Sequence, residues 1–191
     1  MQEAGFAFTA ARPDIDESLH PDESAIDYVA RLSREKAQAV AALQPGLILC
    51  ADTTVAIDNQ ILAKPETPAE AEVMLRQLRG RLHHVHTGVT LLDSDTHQLN
   101  TTVVTTEVYM RDYTDAEIAA YVANGDPYTK AGGYAIQHRE FHPVARVNGC
   151  YTNVVGLPIC TVTRLLAAYS VHPSRPLTCT PDHLPCQYQG L

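Results

Sequence analysis

Between residues 24 and 43 apolar side chains recur at the helical step, at Ile26, Val29, Leu32, Val40 and Leu43. That spacing predicts an amphipathic helix over 24–43. Ser24 suits its N-cap, and Asp27 stands where a capping-box acid would. A second helix is predicted over 68–79, with Thr67 as cap, Pro68 at N1, Glu70 at N3 and Gly80 at its end. Thr114-Asp115-Ala116-Glu117 is a capping box that opens a third helix, closed by Gly125. A last helix follows Pro158, over 159–170.

Shorter apolar runs predict strands at 47–51, 53–57 and 60–63, with a tight turn at Asp58-Asn59. Two long segments rich in Val and Thr, 85–92 and 101–110, read as strands as well. Segments 6–9 and 141–147 complete the set. After Ser170 the period is lost, and residues 171–191 hold four prolines. The pattern therefore predicts a main domain over 1–170 and an irregular, proline-rich tail over 171–191. The class is α/β with many long strands, without regular βαβ alternation. There is no GxGxxG or Walker A loop.

Some charges fall where the pattern calls for apolar residues. Lys36 shares the helical face of Leu32 and Val40. It is either a stem that snorkels at the core edge or a cation aimed into a cleft. Asp52 ends the apolar run at 47–51, and Lys64 ends the one at 60–63. A two-residue turn pairs Ile57 with Gln60 and, continued, Thr53 with Lys64, so Asp52 and Lys64 share one end of a sheet. This is either a structural ion pair or a general base beside a phosphate-binding lysine. Asp14, Asp16 and Glu17 stand just upstream, as a solvated turn or as half of a Mg²⁺ site. His84 with His86, and Cys179-x-x-x-His183-x-x-Cys186, have metal-like spacing but lack further ligands or a suitable setting.

Bulk properties narrow the classes. A chain of 191 residues with 45% hydrophobic content is long enough for one sizeable core. It has no apolar run of membrane-spanning length, and its start lacks the basic and apolar regions of a signal peptide. Five scattered cysteines fit reduced thiols and a cytoplasmic location. A net charge of −8 argues against non-specific binding to nucleic acid or anionic membrane, but not against a small anionic ligand.

The chain resembles the Maf proteins, a family of nucleotide pyrophosphatases. The matching pieces are DIDES (14–18), YVARLSREKA (28–37), ADTTVAIDNQILAKP (51–65), AEAEVMLRQLRGRLHHVHTGV (69–89), TTEVYMRDYTDAEIAAYVANGDP (105–127), KAGGYAIQ (130–137) and NVVGLP (153–158). They run in the family's order and spacing. The resemblance implies a Maf-like mixed sheet bent into two lobes around a deep cleft, commonly in a homodimer. It implies hydrolysis of nucleoside triphosphates to the monophosphate and pyrophosphate with a divalent cation, Mg²⁺ or Mn²⁺. Asp52 then matches the proton acceptor, and Lys36 and Lys64 match the phosphate-cleft lysines. Asp16 and Glu17 match the metal-holding acids. Thr53, Gln137 and Lys130 fall at substrate-binding positions. Thr53 and Gln137 resemble the subgroup acting on dTTP and UTP, and the subgroup for 7-methyl-GTP is the alternative.

The sequence also departs from the family pattern. Maf proteins open with a strand and an S-x-S-P-R-R motif that grips the triphosphate, and this sequence has neither. A misassigned start or a true truncation would each explain that. A catalytically inactive nucleotide- or partner-binding protein is the reading from a different class. The family's DKAGAYGIQG stands here as TKAGGYAIQHRE (129–140), with Thr129 in place of an acid.

Overall fold

A computed structural model describes residues 1–179. In chain order the elements are α1 (Ala25–Ala41), β1 (Leu47–Ile57), β2 (Gln60–Leu62), α2 (Pro68–Leu78), β3 (Leu82–Asp93), β4 (Gln98–Met110) and α3 (Asp115–Ala123). Two 3₁₀ turns, Asp126–Thr129 and Ala131–Gly133, lead to β5 (Val144–Asn148), α4 (Tyr151–Val155) and α5 (Ile159–Ala167). The five strands form one sheet in the order β2-β1-β3-β4-β5, and every pairing is antiparallel. None of the helices is long and apolar enough to cross a membrane, among the described residues.

The helix starts follow the expected chemistry. The hydroxyls of Ser24, Thr67 and Thr114 each accept from the backbone three residues on. At Thr114 the capping box is complete, with Glu117 reaching back to the Thr114 backbone. Asp58 and Asn59 both have positive φ, which suits a tight hairpin turn, and Ile57 pairs with Gln60 as expected.

Register decides which side chains face which layer. Asp52 pairs with Gly88 and Thr54 with His86, so these residues share one face of the sheet. That face carries α1. At Gly88 an added Cβ would overlap the Val29 carbonyl of α1, so only glycine allows this close approach. On the other face Val55, Val85 and Val108 pack with Leu75 and Leu78 of α2 and Ile118 of α3. Val89 and Leu91 pack with Val162 and Leu166 of α5, together with Phe6 and Cys179. The described part of the tail, 171–179, holds no helix or strand, and Leu177 and Cys179 join this cluster.

Four expectations are corrected. Segments 47–51 and 53–57 are one strand that runs through Asp52, because Lys36 meets the carboxylate and no break is needed. Residues 6–9 form no strand: among the described residues no strand pairs with them, and Phe6 is instead anchored as a side chain in the α5 cluster. The β1–β2 ladder stops at Val55–Leu62, so Thr53 does not pair with Lys64. Ile26 and Leu43 are exposed, and the buried stripe of α1 runs through Val29, Leu32, Ser33, Ala37 and Val40.

Candidate active site

A cavity of about 520 Å³ opens at the edge of β1 and reaches both faces of the sheet. Asp52 enters from the α1 face, Thr53 from the opposite face, and Lys36 from α1. Glu17 comes from the loop before α1, Lys64 from the segment after β2, and Lys130 from between the 3₁₀ turns. Six of the eight residues singled out from the sequence therefore line one space. Asp16 and Gln137 are exposed and do not line it. Asp16 Oδ1 accepts from the Ser18 backbone at 2.9 Å, and Gln137 stands on a turn after the buried Tyr134 and Ala135.

The centre of the site is one ammonium between two carboxylates. Lys36 Nζ donates to Asp52 Oδ1 at 2.6 Å and lies 2.7 Å from Glu17 Oε1. Lys36 and Asp52 side chains are 17% and 11% exposed, against 51% for Glu17. Burial pushes the Asp52 carboxyl above its usual range, and the bond from Lys36 only partly offsets this. Glu17 is held below the carboxylate range, chiefly by its bond to Lys36. For Lys36, burial is the largest single influence and opposes its charge. The two carboxylates together outweigh burial and keep the ammonium protonated. Of the two readings of Asp52 and Lys64, the direct ion pair is not the one found: Asp52 pairs with Lys36, and Lys64 acts on both carboxylates through its field.

Behind Asp52 the wall is tied down by hydroxyls. Thr53 Oγ1 and Thr87 Oγ1 are 2.8 Å apart, and Thr53 Oγ1 donates to the Gly156 carbonyl at 3.2 Å. Gly156 has φ +116°, which lets the chain leave α4 along the cavity. Asn153, fully buried, donates from Nδ2 to Val85 O and Thr106 Oγ1, both at 3.0 Å. Lys130 Nζ donates to Thr129 Oγ1 at 2.6 Å and sits 3.5 Å from Asp126.

The residue-by-residue reading passed over Tyr28, which lines the cavity, and the α4 segment. Tyr28 carried a usable signal, since 28, 32 and 36 repeat at the helical step and place it on the face of Lys36. Segment 151–155 carried none, being too short for a period to show. The His84 and His86 rings stack at 5.9 Å, and His86 Nδ1 bonds Thr105 Oγ1 at 2.9 Å. Among the described residues no three His, Cys, Asp or Glu side chains cluster closely enough to hold a metal by themselves. The Cys179–His183–Cys186 spacing lies mostly outside the described residues.

Comparison with known proteins gives one direction. A family model described as Maf-like protein matches residues 1–169. A protein of Geobacter sp. (strain M21) named dTTP/UTP pyrophosphatase is 42% identical over 167 residues, covering 87% of this chain and 86% of its own. Proteins of the same name from Myxococcus xanthus (strain DK1622) and Salinibacter ruber (strain DSM 13855 / M31) are each 46% identical, over 160 and 163 residues. The former covers 83% of this chain and 80% of its own, the latter 84% and 80%. Similarity of this extent places the chain in the Maf family.

Proposed function

We propose that the chain hydrolyses dTTP and UTP to the nucleoside monophosphate and pyrophosphate. The observation that carries this reading is a half-buried carboxylate, Asp52, at the wall of a cavity that also presents Lys36, Lys64 and Lys130. The names of its relatives supply the nucleotide class.

Asp52 is the general base. Its raised pKa brings it closer to neutrality, where a carboxylate accepts a proton from water with less loss of driving force. The resulting nucleophile attacks the α-phosphorus, the bond to the β-phosphate oxygen breaks, and pyrophosphate leaves. Lys36, Lys64 and Lys130 offset charge on the polyphosphate as it shifts toward the leaving group. Lys36 also keeps Asp52 ionised and oriented until substrate arrives. Thr53 borders the cavity with its hydroxyl held by Thr87 and Gly156, which suits a fixed contact to the base. Gln137 is assigned the same task by its motif and stands outside the cavity here.

A divalent cation fits the donor set. Glu17 and Asp52 bring hard carboxylate oxygens to either side of the Lys36 ammonium, and Mg²⁺ would need only one or two such carboxylates besides water and substrate phosphates. Asp16, its motif neighbour, is exposed at the same loop. When bound, the cation supplies further neutralisation of the triphosphate. A homodimer in the cytoplasm completes the reading.

The deciding experiment is pyrophosphate release from dTTP, UTP and 7-methyl-GTP with Mg²⁺ or Mn²⁺. Release from the two pyrimidine nucleotides well above that from 7-methyl-GTP is the expected outcome. A folded sample that releases none from any of them would overturn the assignment.

A further inference from the structure

Glu17 belongs to a stretch, residues 7–23, that contains no helix or strand and is mostly exposed. Leu19 is 52% exposed, so apolar burial does not hold this end of the loop. Polar contacts to α1 do. Tyr28 Oη donates to the Glu17 carbonyl at 2.8 Å, and Arg31 Nη2 donates to the Ser18 carbonyl at 3.0 Å. Arg31 also grips both oxygens of Glu23, from Nε at 2.7 Å and from Nη2 at 2.8 Å. Its remaining arm, Nη1, reaches Glu35 at 3.1 Å. Glu23 in turn accepts from the His20 backbone at 3.1 Å. The Arg31 and Glu23 side chains are 14% and 7% exposed, so this fork meets little competition from water. Tyr28, Arg31 and Glu35 lie three and four residues apart and form one row along α1.

We propose that Arg31, with Glu23 and Tyr28, forms a buckle whose task is to position the Glu17 carboxylate at the cavity. The buckle fastens the backbone at Glu17 and Ser18, which leaves the Glu17 side chain facing Lys36. Its kinetic consequence rests on the pyrophosphatase reading above; its geometry does not. A carboxylate on an unfastened loop occupies the right place only part of the time. Apparent affinity for whatever it holds then falls by that fraction, while the filled site works as before. Arg31 and Glu23 are positioning residues in this sense, because neither lines the cavity.

The test uses Glu23→Gln and Arg31→Lys, with Tyr28→Phe as the variant least able to disturb folding. Two quantities are read: the Mn²⁺ concentration for half-maximal pyrophosphate release from dTTP, and amide hydrogen exchange over residues 15–20. In Glu23→Gln and Arg31→Lys the half-saturation rises about five- to tenfold. Turnover at saturating Mn²⁺ stays within about twofold, and exchange over 15–20 speeds up. Tyr28→Phe moves half-saturation and exchange in the same direction by a smaller amount. An unshifted half-saturation, unshifted exchange, or a loss confined to turnover overturns the proposal. If the unaltered chain releases no pyrophosphate at all, the pyrophosphatase reading fails and exchange alone decides. Faster exchange confined to 15–20 then supports the buckle, and unchanged exchange removes it.

Discussion

The cavity has two unlike walls that meet at one ammonium. The strand wall presents Asp52 from the middle of β1, side chain 11% exposed, with a hydroxyl-tied segment behind it. The loop wall presents Glu17 from an irregular segment, 51% exposed and fastened to α1 by polar contacts. Lys36 touches both, yet burial dominates at Asp52 and raises its pKa, while the Lys36 bond dominates at Glu17 and lowers it. Two carboxylates around one cation are thereby driven to different tasks. The less exposed one is driven toward the proton-accepting role proposed for it, and the more exposed one toward holding negative charge.

The most severe way to break this contrast is Asp52→Asn. An amide still accepts from Lys36 but takes no proton from water, so turnover should fall by about 10²–10⁴-fold. The melting temperature should change little, because Lys36 keeps Glu17 as its counter-ion. Steady-state turnover beside a thermal melt checks both points. An Asn variant that turns over normally would end the base assignment.

Lys36→Met comes next and sharpens the comparison. It removes the nearest cation from both carboxylates, so both pKa values should move up. As the proposed base, Asp52 would work ionised, and activity should be lost as pH falls through its pKa. The acid limb of kcat/KM must therefore shift to higher pH than in the unaltered chain. Loss of one cation from the phosphate cleft should also cost about 10²-fold in kcat/KM at neutral pH. A limb that stays put would mean Lys36 does not tune Asp52.

Glu17→Gln should do less. The side chain is half exposed and sits on the loop wall, so the variant should mainly raise the Mn²⁺ requirement, by about tenfold. A turnover loss as deep as that of Asp52→Asn would erase the distinction between the walls.

How much of this was readable in the sequence differs between the walls in the same way. Lys36 could be placed on the buried face of α1 because helical period is local, and Thr114 announced its own capping box. The direction of Asp52 could not be read. It depends on Asp52 lying opposite Gly88, and a slip of one residue would send the carboxylate to the other face. For the same reason local pattern brings Lys64 near Asp52 without showing that Lys36 is the residue in contact with it. The expected strand at 6–9 failed because a strand needs a neighbour and an apolar run only needs somewhere to bury. Glu17 was visible as part of an acidic cluster. The contacts that aim it come from residues 28 and 31, beyond any local pattern.

The gentlest test sets against Asp52 a titratable group buried on the opposite face of the same sheet, His83. His83 of β3 is buried behind the cavity, and its Nε2 lies 2.7 Å from the hydroxyl of Tyr134, which lines it. Burial pushes His83 down to about 3, the opposite direction from Asp52 and from the same cause, because the charged form of a histidine is the protonated one. In the unfolded chain His83 takes its proton near pH 6.5, so as pH falls from there to about 3 the unfolded state binds a proton that the folded state refuses. Its contribution is therefore intact above about pH 6.5 and is lost progressively below, by up to about 1.4 kcal/mol per pH unit. His86, pushed down to about 4, adds to the same slope over a narrower window. Replacing His83 with Gln should flatten the fall in urea midpoint between pH 7 and pH 4 while leaving the His86 share. An equally steep fall in the variant would mean that burial does not keep His83 neutral in the folded chain.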